Sequence, residues 1–152
     1  MRKIFVLLFT VTLVIAAASV SSASEETVRD QIKDLLFEYK DAYNLRNFDS
    51  IRALYTKDAL ITSFACNSDK EVPFSEFSDD LGRCSTYWVE GAFKLRLFKI
   101  TSFSVDGDKC TARVSWDYRD NRNRGKFNPT FEFRRVGGKW KISKENYGRK
   151  PI

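Results

Sequence analysis

Apolar residues recur at spacings of three and four in the first third of the chain and at spacings of two in the last third. From Glu25 onward Val28, Ile32, Leu35, Leu36, Tyr39 and Tyr43 mark one face of an amphipathic helix ending near Arg46. Glu25 and Glu26 stand at its expected start, where acidic groups complement the helix dipole. A short second helix is expected after it, capped by Asp49 and turning Ile51, Leu54 and Tyr55 inward. Residues 59–64 read as a short strand. Pro73 and Ser75 open a third helical stretch carrying Phe74, Phe77 and Leu81, which Gly82 ends.

From Ala92 the period is two. Phe93, Leu95 and Leu97 alternate with Lys94 and Arg96, and the change of phase through Phe98 and Ile100 predicts a bulge. Asp106-Gly107-Asp108 predicts a hairpin turn into a strand over residues 110–118. Residues 119–126 read as a long polar connection. Phe127, Phe131 and Phe133 alternate with polar neighbours, Gly137-Gly138 turns the chain, and Trp140 and Ile142 belong to a last strand. Helices followed by strands, with no repeat and no linker, predict one α+β domain with helices packed on one face of an antiparallel sheet.

Residues 1–23 stand apart from that domain. Arg2 and Lys3 precede an apolar run over residues 4–18, broken only by Thr10 and Thr12, and small residues follow up to Ser24. This is the layout of a secretory signal peptide cut after Ala23, leaving residues 24–152 as the folded domain. The competing reading is an uncleaved membrane anchor, since the run approaches the lower length limit of a spanning helix. Export to the periplasm or outside the cell permits a disulfide between Cys66 and Cys84. Cys110, alternating with Ala112 and Val114, reads as a buried thiol.

Composition narrows the chemistry. The chain of 152 residues has a formal charge of +6 and no histidine, which excludes Ser-His-Asp triads, Cys-His pairs and His-ligated zinc. No metal or cofactor is expected.

The stretch from Tyr43 to Ala59 and the ending Gly138-Lys139-Trp140-Lys141-Ile142 with Tyr147 resemble the nuclear transport factor 2-like superfamily, which includes SnoaL-like cyclases and ketosteroid isomerases. The resemblance implies a cystatin-like cone, a curved antiparallel sheet of about four to five strands closed by the N-terminal helices. It also implies a tyrosine on the first helix, here Tyr39, and an acid near the end of the first strand, where this chain has Ser63. Without that acid a carbon-bound proton lacks its base, and the cyclase scheme lacks its histidine. Asp58 reads as a turn or cap residue. An atypical pair, Tyr39 with Asp58 or Glu90, is what an enzyme of the cyclase or isomerase class would require. A carboxylate within hydrogen-bond reach of a tyrosine at the pocket base would favour that class, whereas a pocket lined only by aromatic and aliphatic groups would favour binding.

Tyr39, Tyr43, Tyr55, Phe64, Phe93, Trp116, Tyr118 and Phe131, with Trp140, are expected to point into the cone and to bind a small apolar or amphipathic molecule. Lys94, Arg96, Arg113, Arg134, Lys139 and Lys141 fall on the opposite face. With the loop residues Arg119, Arg122, Arg124 and Lys126 they suit an anionic envelope polymer or lipid headgroup. Nucleic acid is not expected, and like charges on the outer face predict a monomer or weak homodimer.

Overall fold

Neither glycine nor proline occurs before Pro73, so nothing in the first part of the chain breaks a helix. In the computed structural model one helix, α1 (Arg2–Leu45), accordingly runs through both the apolar leader and the amphipathic stretch. The structure describes residues 2–62, 71–76, 94–121 and 124–148, with side chains from Ser24 onward. Glu25 and Glu26 therefore lie inside the helix and not at its start. Val28, Ile32, Leu35, Leu36, Tyr39 and Ala42 form its buried face.

The helix ends in a Schellman arrangement. Arg46 takes a left-handed φ of 56°, its N–H donates to Tyr43 O at 3.1 Å, and the Asn47 N–H donates to Ala42 O at 3.0 Å. Asn44 then ties the helix to the sheet by donating to Leu95 O at 2.8 Å while its Oδ1 accepts from the Leu95 N–H at 2.9 Å. The next helix, α2 (Phe48–Ala53), is capped by Asn47, whose side chain accepts from the Ser50 N–H, while Asp49, the expected cap, occupies the first turn. Asn47 wins because the preceding helix ends one residue before it, leaving its side chain free to reach the new turn.

Seven strands follow: β1 (Tyr55–Thr62), β2 (Glu71–Pro73), β3 (Lys94–Asp106), β4 (Lys109–Arg119), β5 (Arg124–Phe127), β6 (Thr130–Val136) and β7 (Lys139–Asn146). The sheet order is β2-β1-β7-β6-β4-β3, with β5 also on β4. This exceeds the four to five strands expected, and the sheet is mixed, because β1 and β7 run parallel. The chain enters β1 from α2, and the parallel hydrogen bond from the Ile142 N–H to Leu54 O, at 2.8 Å, fixes that entry. β1 also begins at Tyr55, ahead of the expected Ala59, so Tyr55 is a strand residue.

The polar connection is a tighter structure than its composition suggests. Arg119 pairs with Arg124 and Tyr118 with Gly125, so β4 and β5 form a hairpin whose turn holds Asp120 and Asn121. Gly125 makes this possible, since a Cβ there would lie 2.7 Å from the Tyr118 ring. β4 pairs with β6 at its start and with β5 at its end, and the Val114 N–H donates to Pro129 O at 3.0 Å where the partners change. That exchange bends the sheet around α1.

Phase changes are the other source of curvature. The β3–β4 register shifts between Leu95 and Phe98, turning Leu95 and Phe98 inward and leaving Leu97 69% exposed. Gly107 (φ 57°) and the pair Gly137 and Gly138 (φ 58° and 78°) make the two tight hairpins. Pro73 ends β2, and only residues 74–76 of the expected third helix are described, Phe74 among them and buried. Phe77, Leu81 and Gly82 lie outside the described residues, as do Cys66 and Cys84. Cys110 is a buried free thiol whose pKa burial, aided by the charge of Glu25, pushes up to about 12.

Candidate functional site

Among the described residues a buried carboxyl group lies inside the cone. Glu145, on β7, is 0% exposed and receives hydrogen bonds from three tyrosines. Tyr39 donates to Oε1 at 2.9 Å, Tyr147 donates to the same oxygen and Tyr55 donates to Oε2. The Tyr39 and Tyr147 hydroxyls are themselves 3.4 Å apart.

Each donor is placed by a different element. Tyr39 rides the buried face of α1 and opens toward β7. Tyr55 starts β1, where its ring stacks on Phe74 at 3.7 Å between centroids. Tyr147 follows β7 and is held beside β1 because its N–H donates to Thr62 O at 3.0 Å. Glu145 itself points inward because β7 carries an extra residue. Phe133 pairs with Ile142 but Glu132 pairs with Lys144, so Ser143 is a bulge whose hydroxyl donates to Glu132 O at 3.1 Å. Simple alternation from Trp140 and Ile142 would turn Lys144 inward and Glu145 outward. The bulge reverses both, and Lys144 pairs with Glu71 on the outer surface.

Burial raises the carboxyl pKa of Glu145, and the hydroxyls of Tyr147, Tyr55 and Tyr39 oppose that rise. Tyr39, Tyr43, Tyr55 and Tyr147 are all held far above the ordinary phenol value, first by burial and then by the charge of Glu145. Among the described residues no lysine or arginine pairs with Glu145, and no three acidic or sulfur groups converge as a metal site.

Aromatic rings surround this centre. Tyr39 lies 5.5 Å from Tyr43 and 5.8 Å from both Trp116 and Phe131, between centroids, and Phe98 lies 4.9 Å from Trp116. Phe127 joins Tyr147 at 5.5 Å and Tyr118 at 5.7 Å. Tyr39, Tyr55, Trp116 and Phe131 are fully buried, and Tyr43, Tyr118, Phe98, Phe127 and Tyr147 are half-buried. Trp116 is 0% exposed, and its indole N–H has no hydrogen-bond partner among the described residues. The Trp140 N–H, by contrast, donates to Gln31 at 3.0 Å.

The sequence-expected set is thus brought together in six of its eight members. Tyr39, Tyr43, Tyr55, Trp116, Tyr118 and Phe131 share the interior, while Phe64 and Phe93 lie outside the described residues. Glu145, Phe98 and Phe127 were missing from it. Ser63 and Glu90 also lie outside the described residues. Asp58 is neither a turn nor a cap residue: it sits within β1, exposed, and Arg134 holds its carboxyl below the usual range.

The outer face is basic, and some of its charges are paired. Besides Arg134 with Asp58, Lys126 meets Asp117 at 3.4 Å, Arg135 meets Asp108 at 4.0 Å, and Lys141 donates to Ala53 O at 2.7 Å. Of the expected basic loop, Arg119 and Arg124 face each other across the β4–β5 hairpin, Lys126 sits on β5, and Arg122 lies outside the described residues.

Solved structures share this architecture. A cystatin-like-fold protein of unknown function from Nostoc punctiforme superposes with a TM-score of 0.64 at 13% identity, covering 81% of this chain and 91% of its own. The fold is the nuclear transport factor 2-like cone. A nuclear transport factor 2-like protein of unknown function from Shewanella oneidensis matches with a TM-score of 0.63 at 17% identity, covering 78% and 96%. A Kribbella flavida protein matches with a TM-score of 0.64 at 17% identity, covering 83% and 93%. No protein-family model and no curated protein matches the chain. At such identities the likeness concerns the cone alone, and its interior must be argued from its own residues.

Proposed function

We propose that this is an exported, non-catalytic binding protein whose aromatic interior takes a small apolar or amphipathic molecule. The reading is carried by Trp116, whose indole N–H is buried within the ring network and lacks an acceptor. Leaving such a donor unpaired costs about 1–3 kcal/mol, so folds seldom retain one without use. An acceptor on a bound molecule would offset that cost. Aromatic walls with few, fixed polar groups are the usual lining of such sites. Export rests on the leader pattern of residues 1–23.

Binding is favoured over proton transfer because the Glu145 carboxyl is already taken up by three tyrosine hydroxyls, whereas the Trp116 N–H has no partner among the described residues. The test is a thermal-shift and native-mass-spectrometry screen of lipids, sterols and aromatic metabolites, repeated on Trp116→Phe. Specific binders that weaken in the variant support the reading, and a screen without binders removes it.

One observation favours a second reading, an acid–base enzyme. Half-buried Tyr147 donates to Glu145 and could pass a proton between it and a ligand. Incubation with small ketones in heavy water, followed by NMR, would detect carbon-bound deuterium if that relay operates. No enrichment over Glu145→Gln disposes of it.

A further inference from the structure

The binding reading leaves open what charge the ligand carries, and the interior is one-sided in that respect. Among the described residues its one buried acid, Glu145, is held by neutral phenols. A carboxylate offers about four lone-pair sites, and three O–H groups occupy three of them. Among the described residues no lysine or arginine pairs with it: Lys144, its chain neighbour, is on Glu71, and Arg134 is on Asp58. The tyrosines that donate to the carboxylate belong to a wider network of aromatic rings, whose faces carry negative potential of their own. Tyr43 and Tyr147, half-buried in this network, adjoin Tyr39 and Phe127 at 5.5 Å in each case. Buried acid and aromatic faces together form the environment that attracts organic cations and repels anions.

Resting on the binding reading, we infer that the ligand is an organic cation, an amine or quaternary ammonium on an apolar or aromatic skeleton. Its charge is attracted by Glu145. Coulomb attraction acts across the few ångströms of tyrosine that separate the carboxylate from solvent, whereas proton transfer would require contact. The same arrangement excludes fatty acids and other carboxylates of equal size.

The experiment compares matched probes on the whole protein at neutral pH by calorimetry: tryptamine, tryptophol and indole-propionate, and phenethylamine, phenethyl alcohol and phenylpropionate. The expected order is amine over alcohol by about tenfold, with the carboxylate weakest. Non-specific attraction to a chain of charge +6 would produce the reverse preference. An alcohol or carboxylate binding as tightly as its amine overturns the cation assignment while leaving the binding reading intact. If none of the six probes binds, the cation inference falls with these skeletons, and the broader screen decides the binding reading separately. In Glu145→Gln the amine-over-alcohol preference should shrink to about twofold, and its persistence would remove Glu145 from the inference. Should that variant fail to fold, Tyr147→Phe keeps the carboxylate and frees one of its acceptor sites. Its amine preference must then hold or grow, and a fall overturns the inference.

Discussion

Asp58 and Glu145 are carboxylates on adjacent parallel strands, and they have opposite environments. Asp58 faces water and is held by a guanidinium, so its proton is lost more easily than usual. Glu145 faces the core and is held by three neutral hydroxyls, so its proton is kept more firmly than usual. Solvent screens the first pair, which leaves it little influence on stability. The second is fully buried, and the acid is the shared acceptor of the hydroxyls around it.

The largest expected effect follows from removing the inner acid. Glu145→Ala should strand the buried hydroxyls of Tyr39 and Tyr55 and cost about 3 kcal/mol or more in urea unfolding. A loss below about 1 kcal/mol would mean that the tyrosines find other partners. Single removals come next: Tyr39→Phe and Tyr55→Phe should each cost about 1.5–3 kcal/mol, as expected for hydrogen bonds to a charged group. Tyr147→Phe should cost less, because its half-buried position lets water replace it. Equal losses for all three would contradict the gradation in burial.

A pH series separates the two acids by sign. In the fold Glu145 holds its proton at pH values where the unfolded chain has released it. Its contribution to stability therefore falls as pH rises from the unfolded carboxyl range, about 4.3, through the higher folded value. Asp58 has a lowered folded value, so its contribution is present above the unfolded range and disappears as pH falls through the folded one. Stability measured across that range should lose its downward slope in Glu145→Gln, and an unchanged slope would assign it elsewhere. The smallest effect belongs to the outer acid: Asp58→Asn should alter the unfolding midpoint slightly at low ionic strength and not detectably at high salt. A salt-independent loss would show that Arg134 is more buried than its pairing suggests.

Much of the wall of this interior was legible in the sequence, and its centre was not. The spacing of Ile32, Leu36, Tyr39 and Tyr43 follows a helix without interruption, so period alone placed Tyr39 correctly. Trp116 and Phe131 were found by plain alternation on β4 and β6. The phase change near Phe98 announced itself as adjacent apolar residues, Leu97-Phe98, but alternation did not reveal that Phe98 joins Trp116 inside. Ser143 gave no comparable signal, because a bulge made by a polar residue between polar neighbours leaves no mark in an apolar pattern. The β4–β5 hairpin was concealed by its charges: polar turn residues and arginines in register read as open loop until Gly125 is seen beneath the Tyr118 ring.

That extra residue in β7 also matters for tracing ancestry among these cones. A relative lacking a counterpart of Ser143 would, in a gapless alignment, match its inward residue to Lys144 of this chain and miss Glu145 altogether. At 13% or 17% identity nothing nearby in the sequence would correct the slip. One codon gained or lost there alters which sign of charge a comparison assigns to the interior, even though the surrounding wall superposes. Inheritance of the cone and inheritance of its contents are therefore separate questions, and only the backbone register connects them.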